Sequence, residues 1–466
     1  MGREVRFWVV SVAGLLAATS MGACGDENPG ALVHDGGSTI DLGTPPDAAV
    51  VDMDASVLDS GTTDGGAVAY CGRVGSVQNL AHFALPRARR VAVVSDDSSL
   101  GAVFAATRGD ADYIVRQSFS ASDGTLVGAE KIVTPLSFGS YFYPAAAASP
   151  IGGVCTFDSQ ADGTRRVTTL QRIDVSGDVV GDPVRISDPT FPSPRSWAAA
   201  VGAGEFATAW TESTLGSLPD GTPAYAETRL RFAHVGSDGA LFDDVIDVPT
   251  DGRIESVAMA RGASDSALVY VLQRDTSDSS SDTIFVRPIG ADGSLSTSPV
   301  MLVELRDVLG DVSAIRVTEN TVVAWTELTA GLRPDIHVMR IGDDGTLAVE
   351  RIVTRGTEQG STPAISLFGA FHVALAYVGG PSGTHDLRFL EFEIDDLPLR
   401  DAVSIADLDD DASFVLEMNS TFTRGTLGIG WSSTSHAGNN AHFAVVGCNV
   451  AGEDLDGGWC EPDAGM

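Results

Sequence analysis

Phe138, Tyr141, Phe142, Tyr143, Phe191 and Trp197, with Arg195 among them, are the side chains of this sequence best suited to hold a ligand. Aromatic rings lie flat on sugar faces and peptide planes, and a guanidinium donates a fork of hydrogen bonds to oxygen acceptors. Together they could line a groove for a polysaccharide or a peptide. The bland alternative is that Tyr143 and Trp197 head buried strands and only pack.

Signals for catalysis are weaker. The eight histidines show no H-E-x-x-H or other metal spacing. No Gly-x-Ser-x-Gly elbow and no phosphate-cradling loop occur. The run Asp407-Leu408-Asp409-Asp410-Asp411 offers paired carboxylates, which serve glycoside hydrolysis or calcium when geometry converges them. Ala412 stands where a calcium loop needs glycine, and the stretch from Asp52 to Asp59 lacks both that glycine and the closing glutamate. In so acidic a chain a solvated loop explains these carboxylates better. No catalytic residue, metal ligand or cofactor is therefore expected, and calcium has no motif behind it.

Positioning of the aromatic residues falls to a repeat. Ser122-Asp123-Gly124-Thr125-Leu126 returns as Ser237-Asp238-Gly239-Ala240-Leu241, Ala291-Asp292-Gly293-Ser294-Leu295 and Asp343-Asp344-Gly345-Thr346-Leu347, with a near copy at Val175–Val179. The anchor glycines recur every 52 to 62 residues. Asp-Gly between alternating apolar runs marks a tight hairpin. A strand-built period of about 50 residues is the mark of a β-propeller blade. The second strand of each unit is built of small and β-branched residues, as in Glu205–Glu212 and its echo Thr321–Glu327, and suits packing on both faces. Its recurring aromatic, Trp210, Trp325 or Trp431, reads as a packing wedge. The fold expected is all-β: one propeller over residues 70–466, most readily with seven four-stranded blades. Residues 211–227 and 275–282 read as long loops on the face that carries the aromatic cluster. Variable loops on a rigid scaffold are where function concentrates.

The last unit lacks an outer strand, and residues 68–77 are placed to supply it. Cysteines support that closure. Cys71 could pair with Cys448 or with Cys460, and a Cys448–Cys460 link is the competing connectivity. Cys155 reads as a buried thiol.

Before the propeller, residues 24–69 contain no Lys or Arg, many Asp, and mostly Gly, Pro, Ser and Thr. Such a segment cannot bury enough apolar surface to offset its conformational entropy, and it is expected to be a disordered tether. Its reach is about 35–40 Å. Residues 1–23 combine Arg3 and Arg6, an apolar core over 7–19, and Met21-Gly22-Ala23 before Cys24. This N-terminus resembles a bacterial lipoprotein precursor. The resemblance implies cleavage before Cys24, lipidation of that cysteine and, with Gly25 following, the outer membrane rather than the inner one.

Net charge is −34, from 63 acidic and 29 basic residues, which argues against nucleic acid and against adsorption to anionic lipid. The membrane contact expected is the lipid anchor alone, and the cytoplasm is excluded. The function these features imply is a non-catalytic binding module in the cell envelope, with a polysaccharide or protein partner outside the cytoplasm. A propeller glycoside hydrolase or polysaccharide lyase is the alternative. Convergence of two carboxylates with Arg or His at the channel would favour the enzyme.

Overall fold

In the computed structural model most of residues 70–449 are described; residues 1–69, 450–466 and short stretches between strands lie outside the description. The described residues contain 28 strands and no helix. The chain begins with β1 (Tyr70–Phe83). Next come β2 (Val91–Ser95), β3 (Ser99–Arg108), β4 (Ala111–Ser120) and β5 (Leu126–Pro135), which form a four-stranded antiparallel sheet. A second is built from β6 (Ala145–Ser149), β7 (Gly152–Ala161), β8 (Arg165–Ile173) and β9 (Val179–Arg185). A third takes β10 (Ser196–Val201), β11 (Glu205–Ser217), β12 (Pro223–Val235) and β13 (Ile246–Val248).

The next eight strands make one sheet. One half holds β14 (Arg253–Arg261), β15 (Ser266–Asp275), β16 (Ser280–Ile289) and β17 (Val300–Arg306). The other holds β18 (Val308–Val317), β19 (Asn320–Thr329), β20 (Arg333–Gly342) and β21 (Arg351–Ile352). A single parallel bridge, Arg261 to Ile315, joins two halves that are antiparallel within themselves. β22 (Glu358–Leu367), β23 (His372–Pro381), β24 (Asp386–Glu393) and β25 (Val403–Asp407) follow as a four-stranded sheet. Last are β26 (Phe414–Thr423), β27 (Thr426–Ser435) and β28 (Gly438–Asn449), with β1 returning as their fourth strand beside β28. The arrangement is propeller-like. β2, β6, β10, β14, β18, β22 and β26 lie side by side in that order, and β26 lies against β2 again.

Burial between sheets explains the apolar second strands. Phe104, Phe157, Trp210, Tyr270, Trp325, Tyr377 and Trp431 occupy matching places in them, and none is more than 2% exposed. Ala147, Val154 and Leu170 of one sheet meet Phe206, Trp210 and Val235 of the next. The first and last sheets meet through Phe104 and Phe119 against Phe443 and Val445, with Phe119 stacked on Phe443 at 4.1 Å. Each such side chain contributes roughly 1.5–3 kcal/mol. Cys155 sits in this interior as a free buried thiol, and burial raises its pKa strongly.

The repeated turn has a clear local cause. Its aspartate Oδ1 accepts the backbone N–H two residues on: Thr125 to Asp123 at 3.1 Å, Ala240 to Asp238 at 2.9 Å, Ser294 to Asp292 at 3.0 Å and Thr346 to Asp344 at 2.8 Å. The glycine carries positive φ, between 69° and 85° in all five copies. Leu241, Leu295 and Leu347 then bridge back to the third strand. A side chain on these glycines would also strike the preceding sheet: Arg116 lies against Gly177, Arg172 against Gly239 and His234 against Gly293. One motif therefore closes a hairpin and seats it on its neighbour.

Two readings of the sequence are corrected. The long loop expected over 211–227 is mostly strand, because β11 and β12 keep pairing out to Ser217 and Pro223. Threonine, tyrosine and alternating polarity there favour an extended hairpin over a loop. Similarly, β15 and β16 pair out to Asp275 and Ser280.

Candidate functional site

Six of the seven strands nearest the axis contribute side chains to a central cavity of about 330 Å³. Alanine is the commonest residue of its walls, from Ala92, Ala145–Ala148, Ala198, Ala199, Ala258 and Ala314. Small residues let the strands converge and still leave space between them. Arg90, Trp197, Arg261 and Asp311 give it polarity and charge.

Trp197, near the start of β10, is 7% exposed and lies between two guanidinium groups. Arg90 Cζ stands 5.2 Å from its ring centroid and Arg195 Cζ 5.5 Å. Both distances are within cation–π range. Arg90 Nη1 is fixed by the Ser196 carbonyl at 2.7 Å. Arg195 Nε donates to Glu227 Oε2 at 2.9 Å, and its terminal nitrogens donate to the Glu255 carbonyl at 3.1 and 3.2 Å. Asp311 Oδ1 lies 3.7 Å from Arg195 Nη1 and accepts from Ser256 Oγ at 3.0 Å. Burial opposes the charge on Arg195, but Glu227 and Asp311 outweigh it and hold the guanidinium above its usual pKa. Tyr143 is close enough to add to that effect.

Tyr143, Arg195 and Trp197 are thus gathered at the Trp197 end of the cavity, and of the three Trp197 is in its lining. Phe191 belongs to another cluster: Arg229 lies 4.6 Å over its ring and pairs with Glu212 at 3.1 Å and Asp247 at 3.3 Å. Phe138, Tyr141 and Phe142 lie outside the described residues. So do Cys24, Cys460 and the acids from Asp409 to Asp411. The sequence reading did not find Arg90, Asp311 or Arg261. Each comes from a different part of the chain, and only the packing of the first strands brings them together.

Asp158 is the other unusual acid. It is 2% exposed, its Oδ1 accepts the Tyr143 N–H at 3.1 Å, and its Oδ2 has no hydrogen-bond partner. Burial pushes its carboxyl up to about 8, against the positive charge of Arg166. A carboxyl poised there can exchange protons near neutral pH. It does not line the cavity, however, and Asp311 is the one acidic side chain that does among the described residues. Two carboxylates flanking a bond, as glycoside hydrolysis requires, are not found there.

A second constellation lies between the sheet halves. Glu327, His337 and Glu350 offer ligand atoms within 4.8 Å of one another, a spacing that could hold a metal ion. His337 Nδ1 bonds Glu350 Oε1 at 2.6 Å, and its ring stacks on Trp325 at 5.5 Å. Arg306 Nη1 donates to Glu327 at 2.9 Å, and its Nη2 to Glu350 at 2.7 Å. The guanidinium therefore already supplies a positive charge to both carboxylates. Trp210 and Glu212 repeat part of this, with Trp210 Nε1 donating to Glu212 Oε1 at 3.2 Å as Trp325 Nε1 does to Glu327 Oε2. The Trp-Thr-Glu echo in the sequence was the visible trace of that shared arrangement.

No protein-family model matches this chain, and no curated protein does. Solved structures similar to it include the phage phi92 endosialidase, at 8% identity and TM-score 0.46, covering 80% of this chain and 69% of that one. A subtype N10 neuraminidase-like protein of A/little yellow-shouldered bat/Guatemala/060/2010 aligns at 9% identity and TM-score 0.38, over 81% of this chain and 100% of that one. A Synechocystis apocarotenoid oxygenase aligns at 11% identity and TM-score 0.41, over 66% of this chain and 70% of that one.

Proposed function

We propose that this protein is a lipid-anchored envelope protein whose seven-bladed propeller serves as a binding module, with the recognition site at the Trp197 mouth of the central cavity. The observation that carries the site is the ring of Trp197 held between Arg90 and Arg195, each fixed by backbone carbonyls. Such a plate is rigid and amphipathic before any ligand arrives, so little ordering entropy is lost on binding. The closed order of seven first strands supports the blade count. A polysaccharide or an extended peptide carries the oxygen acceptors that guanidinium donors beside the Trp197 ring can meet.

Binding is favoured over hydrolysis because the acid on the cavity wall, Asp311, is already engaged by Ser256 and lies beside Arg195. The enzyme reading draws on Asp158 and its raised pKa, and it would need a substrate to reach beyond the cavity wall. No cofactor is part of either reading.

A glycan and peptide array probed with wild-type protein and with Trp197→Leu tests the site. Ligands captured by the wild type should be lost, or weakened at least tenfold, in a variant that still melts cooperatively. Equal capture by both would remove Trp197 from recognition, and an array with no ligand at all would count against the binding role. The anchor has its own test. Cys24→Ala should release the protein from the membrane fraction and abolish labelling by a fatty-acid probe. A variant that stays labelled and membrane-bound would exclude lipidation at Cys24.

A further inference from the structure

The central cavity holds a positive charge that no described residue answers. Arg261 is the last residue of β14, and its side chain lines the cavity. Among the described residues it has no hydrogen-bond or ion-pair partner. The acids nearest to it in the chain are committed elsewhere. Asp265 accepts from Arg316 Nε at 2.8 Å, and Glu255 lies 3.3 Å from Arg253 Nε. Arg195 makes the contrast plain, since Glu227, Asp311 and the Glu255 carbonyl surround it.

Arg261 keeps contact with solvent in the cavity, so it is not sealed in the protein. The crowding around it still pushes the guanidinium below its usual pKa through desolvation, with no counter-charge offsetting the effect. The arginine is exposed to the solvent of the cavity and unpaired among the described residues, so an anion entering the cavity meets an available fork of donors. The space beside it is adequate. Gly262, Ala258, Ala314 and Ser366 line the same cavity and are small. A volume of about 330 Å³ accepts a group the size of a single sugar acid. Arg90 reaches the same cavity from just before a first strand, whereas Arg261 reaches it from the end of one. The two guanidiniums are therefore spread along it, and an elongated anion can meet both.

We propose that the central cavity is an anion-binding site in which the Arg261 guanidinium receives the carboxylate or phosphate group of a small ligand as a bidentate pair. The planar fork of arginine matches both groups, and lysine would not reproduce it. The net charge of −34 repels anions from the molecule as a whole. Binding therefore depends on this local charge and should respond to one side chain. The inference does not rest on the Trp197 mouth being a recognition site.

Calorimetric titration of the purified protein in low-salt buffer with inorganic phosphate, glucuronate and uncharged glucose tests it. At least one anion should bind with one-to-one stoichiometry, and glucose should not. Arg261→Gln should weaken that binding at least tenfold, and Arg261→Lys at least threefold. Preference between the anions identifies the group received. Failure of both to bind the wild type, or equal affinity in a folded Arg261 variant, overturns the proposal. Should Arg261→Gln fail to fold, Arg261→Lys alone decides. The calorimetry reads Arg261 and the array reads Trp197, so either reading can fail while the other stands.

Discussion

Replacing Asp158 by asparagine should stabilise the protein in mildly alkaline solution, by a few kcal/mol near pH 8, and should change it far less at pH 4. The carboxyl is buried on β7, with one oxygen bonded to the Tyr143 N–H and the other without a partner. Its folded pKa of about 8 stands above the 3.8 of an unperturbed aspartate, because burial outweighs the pull of Arg166. Between those values the folded chain binds one proton more than the unfolded chain. The contribution of Asp158 to stability is then complete below about pH 4 and is lost as pH rises through 8. The slope is at most about 1.4 kcal/mol per pH unit. Asparagine keeps the shape and an acceptor oxygen for Tyr143, and it cannot ionise.

Urea unfolding of both proteins at pH 5, 6.5 and 8 gives the comparison. The gap between them should widen steadily toward pH 8, and parallel stabilities across the range would sink the idea. Other titrating groups drop out of that difference. His442 is one: burial lowers it to about 4, so its share of stability is present above pH 6.5 and lost as pH falls toward 4. Asp158 accepts the Tyr143 N–H, and that bond strengthens as the carboxyl ionises, so the cost of deprotonation falls on the buried charge and not on the hold over Tyr143.

What the sequence made legible follows from how local each cause is. The Asp-Gly-x-Leu turn is decided within five residues, by an aspartate cap, a glycine φ and a leucine bridge, and it could be read directly. Second strands were visible because Trp210 and Trp325 lie in near-identical apolar runs, fully buried on both faces. Outer strands were less so. After the turn at 343–347 only Arg351–Ile352 pairs as an outer strand, both residues exposed. A strand with water on one side carries little apolar signal. Of the candidate site, Tyr143, Arg195 and Trp197 were legible because aromatic residues beside arginine stand out in a chain only 7% aromatic. Arg261, Asp311 and Arg90 were not, since each is an ordinary charged residue until seven distant strands meet. Glu327, His337 and Glu350 converge across two strands and a loop, so no linear spacing announces them. The hairpin from 211 to 227 failed for another reason: its mix of Thr, Ser, Gly, Pro and Asp has the composition of a loop.

Reduction of the protein should lower its stability by about 2–4 kcal/mol, through loss of a Cys71–Cys448 disulfide. β1 and β28 pair antiparallel, and Cys71 stands directly across from Cys448, between the pairs Tyr70–Asn449 and Gly72–Gly447. Residues opposed in an antiparallel ladder have Cα atoms about 4.5–5.5 Å apart, inside the range a disulfide spans. Cys460 lies outside the described residues and is eleven or more residues from either strand end. The bond would link the two ends of the whole sheet array, so it would restrict the unfolded chain over nearly its full length, where loop-closure entropy is greatest. It would also hold the strand that is otherwise kept only by pairing and by contacts such as Asn79 Oδ1 with His442 Nδ1 at 2.8 Å. Peptide mapping without reductant should recover Cys71 and Cys448 as one linked species. Cys71→Ser should lose most of the stability that reduction removes, and Cys460→Ser little. Recovery of Cys448 linked to Cys460 would instead show that pairing alone closes the array. β1 would then be the first strand to open on heating, because nothing covalent would prevent one chain end from leaving the other.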